Sequence, residues 1–420
     1  MHDLIHEMGL NIAREKGSRR WRLEDIEDEP KAVEGLLLSF DYDENISPCI
    51  EAFKQMTKLK MLIVKYRVHH LCSSKSHQES IEAFKDIDIV NYLPRSLMVL
   101  KFSYYPWSKL YFPMEMKKLT YLDLSSSKSL LKTPNFAMMP NLVNLNISNC
   151  KALETIHPSV GNLTKLVKLN LGHCNLAKLL SFNQEMKSIT HLDLGCCSPL
   201  LETPNFATMP NMEYLNLSNC KKLKEVHLSF ENLRKLVSFD FHGCSNLEKL
   251  PSLNQEMKGI TRLNLKNCSS LLEVPNFAMM PNLKFLRLSK CEKLKVIHPS
   301  FGNLKELVSF DFHRCCNLEK LPSFKQEMEN ILYLDLTDCS SLLETPSFAM
   351  MPNLKFLRLS KCEKLKDIHP SFGNLKKLVS FDFHGCSNLE KFPSFNQEMK
   401  SITDLDLTDC SSLLETPNLL

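Results

Sequence analysis

The stretch Leu283-Lys284-Phe285-Leu286-Arg287-Leu288-Ser289-Lys290-Cys291 decides how this chain folds. Its apolar residues stand at Leu283, Leu286 and Leu288, a cysteine closes the phrase, and the same wording returns as Leu142-x-x-Leu145-x-Ile147-x-x-Cys150. Reading outward, closing cysteines stand at Cys150, Cys174, Cys197, Cys220, Cys244, Cys268, Cys291, Cys315, Cys339, Cys362, Cys386 and Cys410, always 23 or 24 residues apart. Within each phrase leucines alternate with polar residues, the period of a short strand with one buried face. One such unit cannot bury its apolar face alone, but a stack of them can. The expected architecture is a solenoid.

The phrase is the leucine-rich-repeat pattern L-x-x-L-x-L-x-x-(N/C). The predicted fold class is therefore α/β: a leucine-rich-repeat solenoid, or horseshoe, with a parallel sheet on the concave face and irregular or short-helical connections on the convex side. The connecting text, such as TPNFAMMPN from Thr133 or HPSFGN from His298, sets Pro and Asn breakers around Phe136 and Phe301. A second period lies on the first, because Cys197, Cys268, Cys339 and Cys410 are 71 residues apart and the text between them is nearly copied. Three repeats make one duplicated unit, so some surface features recur through copying. Regular phrases fill residues 119–420, while 25–118 carry looser ones near Leu36, Leu59 and Leu97 and an insertion at 68–90 without apolar period.

Composition narrows the function. The 420 residues carry a formal charge of +4 with both signs interspersed, which leaves no concentrated basic face for nucleic acid. No run approaches the roughly 18 to 20 apolar residues of a membrane span, and the opening MHDLIHEMGL has neither a basic n-region nor an apolar h-region. These features predict a soluble chain with no membrane partner, cytoplasmic, with the nucleus also open to it. Of 16 cysteines, twelve fill the closing position, where cysteine serves as a small buried apolar residue and weak donor, and reduced thiols are expected. Cys49, Cys72, Cys196 and Cys316 form no ligand set. The chain contains no GxxxxGK(S/T), GxGxxG, GxSxG or HExxH, so neither an enzyme nor a metal site is expected.

The outward strand positions predict the binding surface. Between the second and third leucines stand Asp123, Asn146, Asn170, Asp193, Asn216, Asp240, Asn264, Arg287, Asp311, Asp335, Arg358, Asp382 and Asp406. This column reads as a solvated ion-pair ladder or as a polar recognition strip, and one surface can do both. His242, His313 and His384 each follow an aspartate by two residues, but three repeats, roughly 14 Å, separate them, too far to share a metal. Phe285 and Phe356, beside Lys284 and Lys355, are better placed as partner anchors. The candidate partner-binding set is Phe285, Arg287, Asp311, His313, Phe356 and Arg358.

The first nine residues, Met1-His2-Asp3-Leu4-Ile5-His6-Glu7-Met8-Gly9, resemble the MHD segment that ends the nucleotide-binding region of plant disease-resistance receptors. Ser18-Arg19-Arg20-Trp21 is similar to the basic-aromatic motif that follows it, and Ala32-Val33-Glu34-Gly35-Leu36 to the opening of the first repeat. Phe53-Lys54-Gln55-Met56-Thr57-Lys58-Leu59 and Tyr104-Tyr105-Pro106 resemble the early repeats, and the text from Thr133 to Ser159 resembles the repeats of the class with an N-terminal TIR domain. The resemblance implies that residues 1–24 are the end of a winged-helix subdomain, and that His2 and Asp3 belong to a site for ADP or ATP in full-length receptors. The rest of that module is not in this sequence, so no cofactor is expected in this chain alone. Two readings follow. The chain is the recognition region of an intracellular plant immune receptor, truncated, binding a pathogen effector or a guarded host protein, contacting its own nucleotide-binding domain and contributing to defence signal transduction. The alternative is a free-standing repeat adaptor or scaffold without signalling activity.

Overall fold

In a computed structural model of the chain, the described residues are 33–41, 55–67, 89–179, 182, 184–395 and 401–415. Residues 1–24 and nearly all of the insertion at 68–90 lie outside them, as do Cys49 and Cys72. The chain divides into two compact units, Met1–Asp193 and Leu194–Leu420.

The first unit carries β1 (Gly35–Asp41), β2 (Met61–Arg67), β3 (Val99–Ser103), β4 (Tyr121–Asp123), β5 (Asn144–Asn146), β6 (Lys168–Asn170) and β7 (His191–Asp193). The second carries β8 (Tyr214–Asn216), β9 (Ser238–Asp240), β10 (Arg262–Asn264), β11 (Phe285–Arg287), β12 (Ser309–Asp311), β13 (Tyr333–Asp335), β14 (Phe356–Arg358), β15 (Ser380–Asp382) and β16 (Asp404–Asp406). Within each unit strands pair in chain order and every pair is parallel. Parallel neighbours need a connection of a dozen residues or more, which the long repeat period supplies. Repeats so joined are a leucine-rich-repeat solenoid. Among the described residues no helix is long and apolar enough to cross a membrane.

The alternating phrase works as its period requires. From β5 to β15 the middle residue of each short strand, for example Leu263, Leu286, Phe310, Leu334 and Leu357, is buried while its flanking residues are half-buried or exposed; in β4 the flanking Tyr121 and Asp123 are buried too, and in β16 Leu405 is half-buried. In the second unit the third repeat of each block puts two phenylalanines inward, and the phenylalanine of the preceding HPSF turn, or HLSF at His227, packs against them. Phe301 lies 5.3 Å from Phe310 and 5.7 Å from Phe312, and Phe372 lies 5.3 Å from Phe381. Edge-to-face contacts add to the burial of such rings.

The closing cysteines are free and, apart from half-buried Cys410, buried. From Cys220 onward each thiol donates backwards to a main-chain carbonyl of the preceding repeat: Cys291 Sγ to Leu265 O at 3.2 Å, Cys315 to Leu288 at 3.1 Å, Cys339 to Phe312 at 3.3 Å. Each of these carbonyls also accepts the amide of its own repeat's closing cysteine, for example Cys268 N to Leu265 O at 3.2 Å, so the thiol fills the second lone pair and ties one repeat to the next. The residue before each cysteine takes a left-handed conformation, and only Gly243 and Gly385 meet it without a Cβ.

Among the described residues two of the three connections in each block carry 3-10 turns, interlocked across repeats by polar side chains, and the third, as between β12 and β13, carries none. In the TPSF–HPSF pair, the His369 amide donates to Thr345 Oγ1 at 2.8 Å, the Ser371 amide donates to His369 Nδ1 at 3.2 Å, and the Phe348 amide donates to Ser371 Oγ at 2.8 Å. The same set joins Thr203, His227, Ser229 and Phe206. A Cβ on Gly302 or Gly373 would run into the carbonyl of Ser323 or Ser394, so glycine is required where HPSFGN passes the next repeat.

Candidate partner-binding surface

The sheet face of the second unit is built from three columns of side chains, each set by strand register. The third strand position holds Asn264, Arg287, Asp311, Asp335, Arg358 and Asp382 on β10 to β15. The aspartates and asparagines here act locally. Asp311 Oδ1 accepts the His313 amide, Asp335 Oδ1 the Thr337 amide and Asp382 Oδ1 the His384 amide, each at 2.9 Å. Asn264, Asp240 and Asn216 do the same for the amide two residues on. The column read from the sequence as an ion-pair ladder or recognition strip is thus, in the main, a series of turn caps.

Arg287 and Arg358 break that series. Arginine has no acceptor, so it cannot cap the turn. Among the described residues neither joins an ion pair, although register sets Arg287 beside Asp311 and Arg358 between Asp335 and Asp382. Arg358 instead lies over the Tyr333 ring at 5.7 Å from its centre. The Tyr333 hydroxyl donates to Asp335 Oδ2 at 3.0 Å. Burial, then the Asp335 charge, push it up to about 12, so it stays a donor at neutral pH.

The first strand position holds Arg262, Phe285, Ser309, Tyr333, Phe356 and Ser380. Phe285 is 37% and Phe356 42% exposed, with Arg262 over the Phe285 ring at 5.1 Å and Tyr333 6.4 Å from Phe356. The residues just before the strands form the next column, Lys284, Val308, Leu332 and Lys355, joined by main-chain bonds from Val308 N to Lys284 O and from Lys355 N to Leu332 O. Val308 is 39% and Leu332 45% exposed. Four bulky apolar side chains therefore reach solvent within four consecutive strands, which singly scattered apolar residues do not explain.

Of the predicted residues, Phe285, Arg287, Asp311, Phe356 and Arg358 share this face. His313 sits in the turn after β12, half-buried, its amide held by Asp311. His242 and His384 occupy the same place in their repeats, and no group of three metal-ligating side chains exists among the described residues. His2 and Asp3 lie outside the described residues. Arg262, Val308, Leu332 and Tyr333 escaped the sequence reading, which followed the third column throughout but the other two only at Lys284, Phe285, Lys355 and Phe356; reading the two residues after the first apolar position of every repeat would have found them.

Protein SUPPRESSOR OF npr1-1, CONSTITUTIVE 1 from Arabidopsis thaliana is 31% identical over 345 residues, which cover 77% of this chain and 23% of that protein. TMV resistance protein N from Nicotiana glutinosa is 26% identical over 483 residues, covering 100% of this chain and 36% of that protein. The homologues of this chain are plant TIR-NB-LRR disease-resistance proteins. The chain spans about a quarter to a third of the length of these relatives. No family model matches it. Among solved structures, a leucine-rich-repeat protein from Leptospira interrogans has a TM-score of 0.52 at 17% identity, covering 90% of this chain and 85% of that one. Toll, in its complex with Spatzle from Drosophila, also has 0.52 at 17% identity, covering 89% and 47%. At such identities the likeness is one of fold.

Proposed function

We propose that this chain is the recognition region of an intracellular plant immune receptor and binds a pathogen effector or a guarded host protein through the sheet face of its second unit. The observation that carries this reading is the exposed cluster Phe285, Val308, Leu332 and Phe356, set among cations on a face otherwise occupied by turn caps. Exposed aromatics ringed by polar side chains are the usual centres of protein interfaces. Plant disease-resistance homologues support the biological setting, and Toll bound to Spatzle offers an example of the same fold holding a protein. Nucleotide binding would involve His2 and Asp3 only together with the rest of such a module.

The test compares partner capture from effector-expressing plant tissue by the wild-type chain, by F285A/F356A and by the flank variant L272D/L343D. Leu272 and Leu343 are also exposed but lie after the closing cysteines, off the sheet face. Loss of about tenfold or more in the first variant alone is expected for two anchor residues. Capture that survives F285A/F356A and disappears with L272D/L343D would move the interface to the flank.

A further inference from the structure

The sheet face carries its recognition features twice. Lys284-Phe285-Leu286-Arg287 on β11 and Lys355-Phe356-Leu357-Arg358 on β14 are identical in sequence and in exposure pattern, with Leu286 and Leu357 both buried. Three strand spacings separate them, and at ~4.8 Å per spacing the two phenylalanines stand ~14 Å apart. Any single ligand using both must present matching groups at that distance on one side.

Resting on the reading that this face binds protein, we propose that the occupant is an extended acidic segment with bulky apolar residues four positions apart, lying across β11 to β14. An extended chain advances ~3.4 Å per residue and returns to the same face every second residue, so residues i and i+4 are ~13.6 Å apart and point the same way. A helix climbs ~1.5 Å per residue and needs nine or ten residues for the same distance, by which point the second side chain has turned off the contact face. The repeat of the surface therefore selects an extended ligand.

Charge selects its acidity. Across β10 to β14 the outward columns hold Arg262, Lys284, Arg287, Lys355 and Arg358 against Asp311 and Asp335. Both aspartates already accept local hydrogen bonds, Asp335 through both oxygens. Among the described residues none of the five cations has an ion-pair partner. Carboxylates two positions outside each apolar anchor share its face, within reach of Arg262, Lys284 and Arg287 at one end and of Lys355 and Arg358 at the other. Val308 and Leu332 lie between, level with the lysines, and extend the apolar floor.

The experiment measures fluorescence anisotropy of labelled acidic peptides with the full 420-residue chain. Three peptides of one composition place two phenylalanines at i/i+3, i/i+4 or i/i+5 among glutamates, and a fourth replaces the glutamates by lysines. The i/i+4 acidic peptide should bind about tenfold tighter than its isomers, in each of which one anchor points away, and should weaken with added salt. R287E/R358E should abolish that preference while circular dichroism and thermal unfolding stay unchanged. Equal binding of the spacing isomers, tighter binding of the lysine peptide, or tighter binding of a single-stranded oligonucleotide would overturn the proposal. If the peptides show no spacing preference while F285A/F356A still abolishes capture of the protein partner, the ligand class is wrong and the protein-binding face stands. If capture is indifferent to F285A/F356A, both fall.

Discussion

The block from Cys268 to Asp338 and the block from Cys339 to Asp409 are near-copies, and comparing them separates what sets the backbone from what only trims it. Both build 3-10 turns at equivalent places, Phe277–Met279 with Pro299–Asn303 and Phe348–Met350 with Pro370–Asn374, and His298 and His369 have the same φ and ψ of −56° and 134°. Their polar locks differ. The second block has Thr345 accepting the His369 amide, where the first has Val274, which offers no acceptor. The first block caps its turn from Asn276 to the Ala278 amide, where the second has Ser347 and no side-chain cap. Each block has lost a lock that the other keeps, and the backbone is the same. The apolar phrase and the buried cysteine dictate the path, and the polar contacts adjust its stability.

The largest effect expected is common to both blocks. Burial pushes the Cys268 and Cys315 thiols up to about 12 and holds Cys291, Cys339 and Cys362 well above the ordinary thiol range. The folded chain therefore keeps these protons while the unfolded chain releases them above about pH 8.5. Stability is fully present below that pH and falls as pH rises towards 12, by about 1.4 kcal/mol per thiol for each pH unit. Urea unfolding at pH 8 and pH 10 should differ by several such increments, and equal midpoints would mean the cysteines are not buried thiols.

Next in size, Leu286→Ala and Leu357→Ala should each cost roughly 2 to 5 kcal/mol, because both residues are about fully buried and leave a cavity. Lys284→Ala should cost almost nothing. Unequal losses at Leu286 and Leu357 would show that the two blocks pack differently despite their common wording. The smallest effect sharpens the comparison most. Thr345→Val should lose about 1 kcal/mol and Val274→Thr should gain about as much, since each removes or restores one acceptor for a histidine amide. Thermal unfolding of the pair and of the double variant checks this, and a Val274→Thr protein no more stable than wild type would mean that the His298 amide finds its partner elsewhere.

Much of the fold was legible because its signal is local and repeated. Leu283-x-x-Leu286-x-Leu288 states strand, buried face and parallel stacking at once. The surface was half legible. Arg287 and Arg358 stood out against a run of Asp and Asn, but the reason for that run, an Oδ1 capping the amide two residues on, appears only in the geometry. The Thr345–His369–Ser371 lock stayed hidden because its members sit 24 residues apart in segments that read as irregular connections. Tyr333 escaped notice because its contacts with Arg358 and Phe356 join strands more than twenty residues apart.

The contacts between repeats in the second unit join each repeat to the next by one grammar, with thiol-to-carbonyl bonds reaching back 26 or 27 residues and amide-to-serine bonds reaching forward 23. A crossover between two misaligned copies of a 71-residue block would consequently leave both junctions able to dock, with no new seam to repack. Such an event changes the surface in whole steps. Each copy of the Cys268 or Cys339 block gained or lost adds or removes one Lys-Phe-Leu-Arg station at ~14 Å intervals, whereas the Cys197 block carries Glu213-Tyr214-Leu215-Asn216 at that place, so recombination sets the number and spacing of stations on the face, like moving a peg on a ruler.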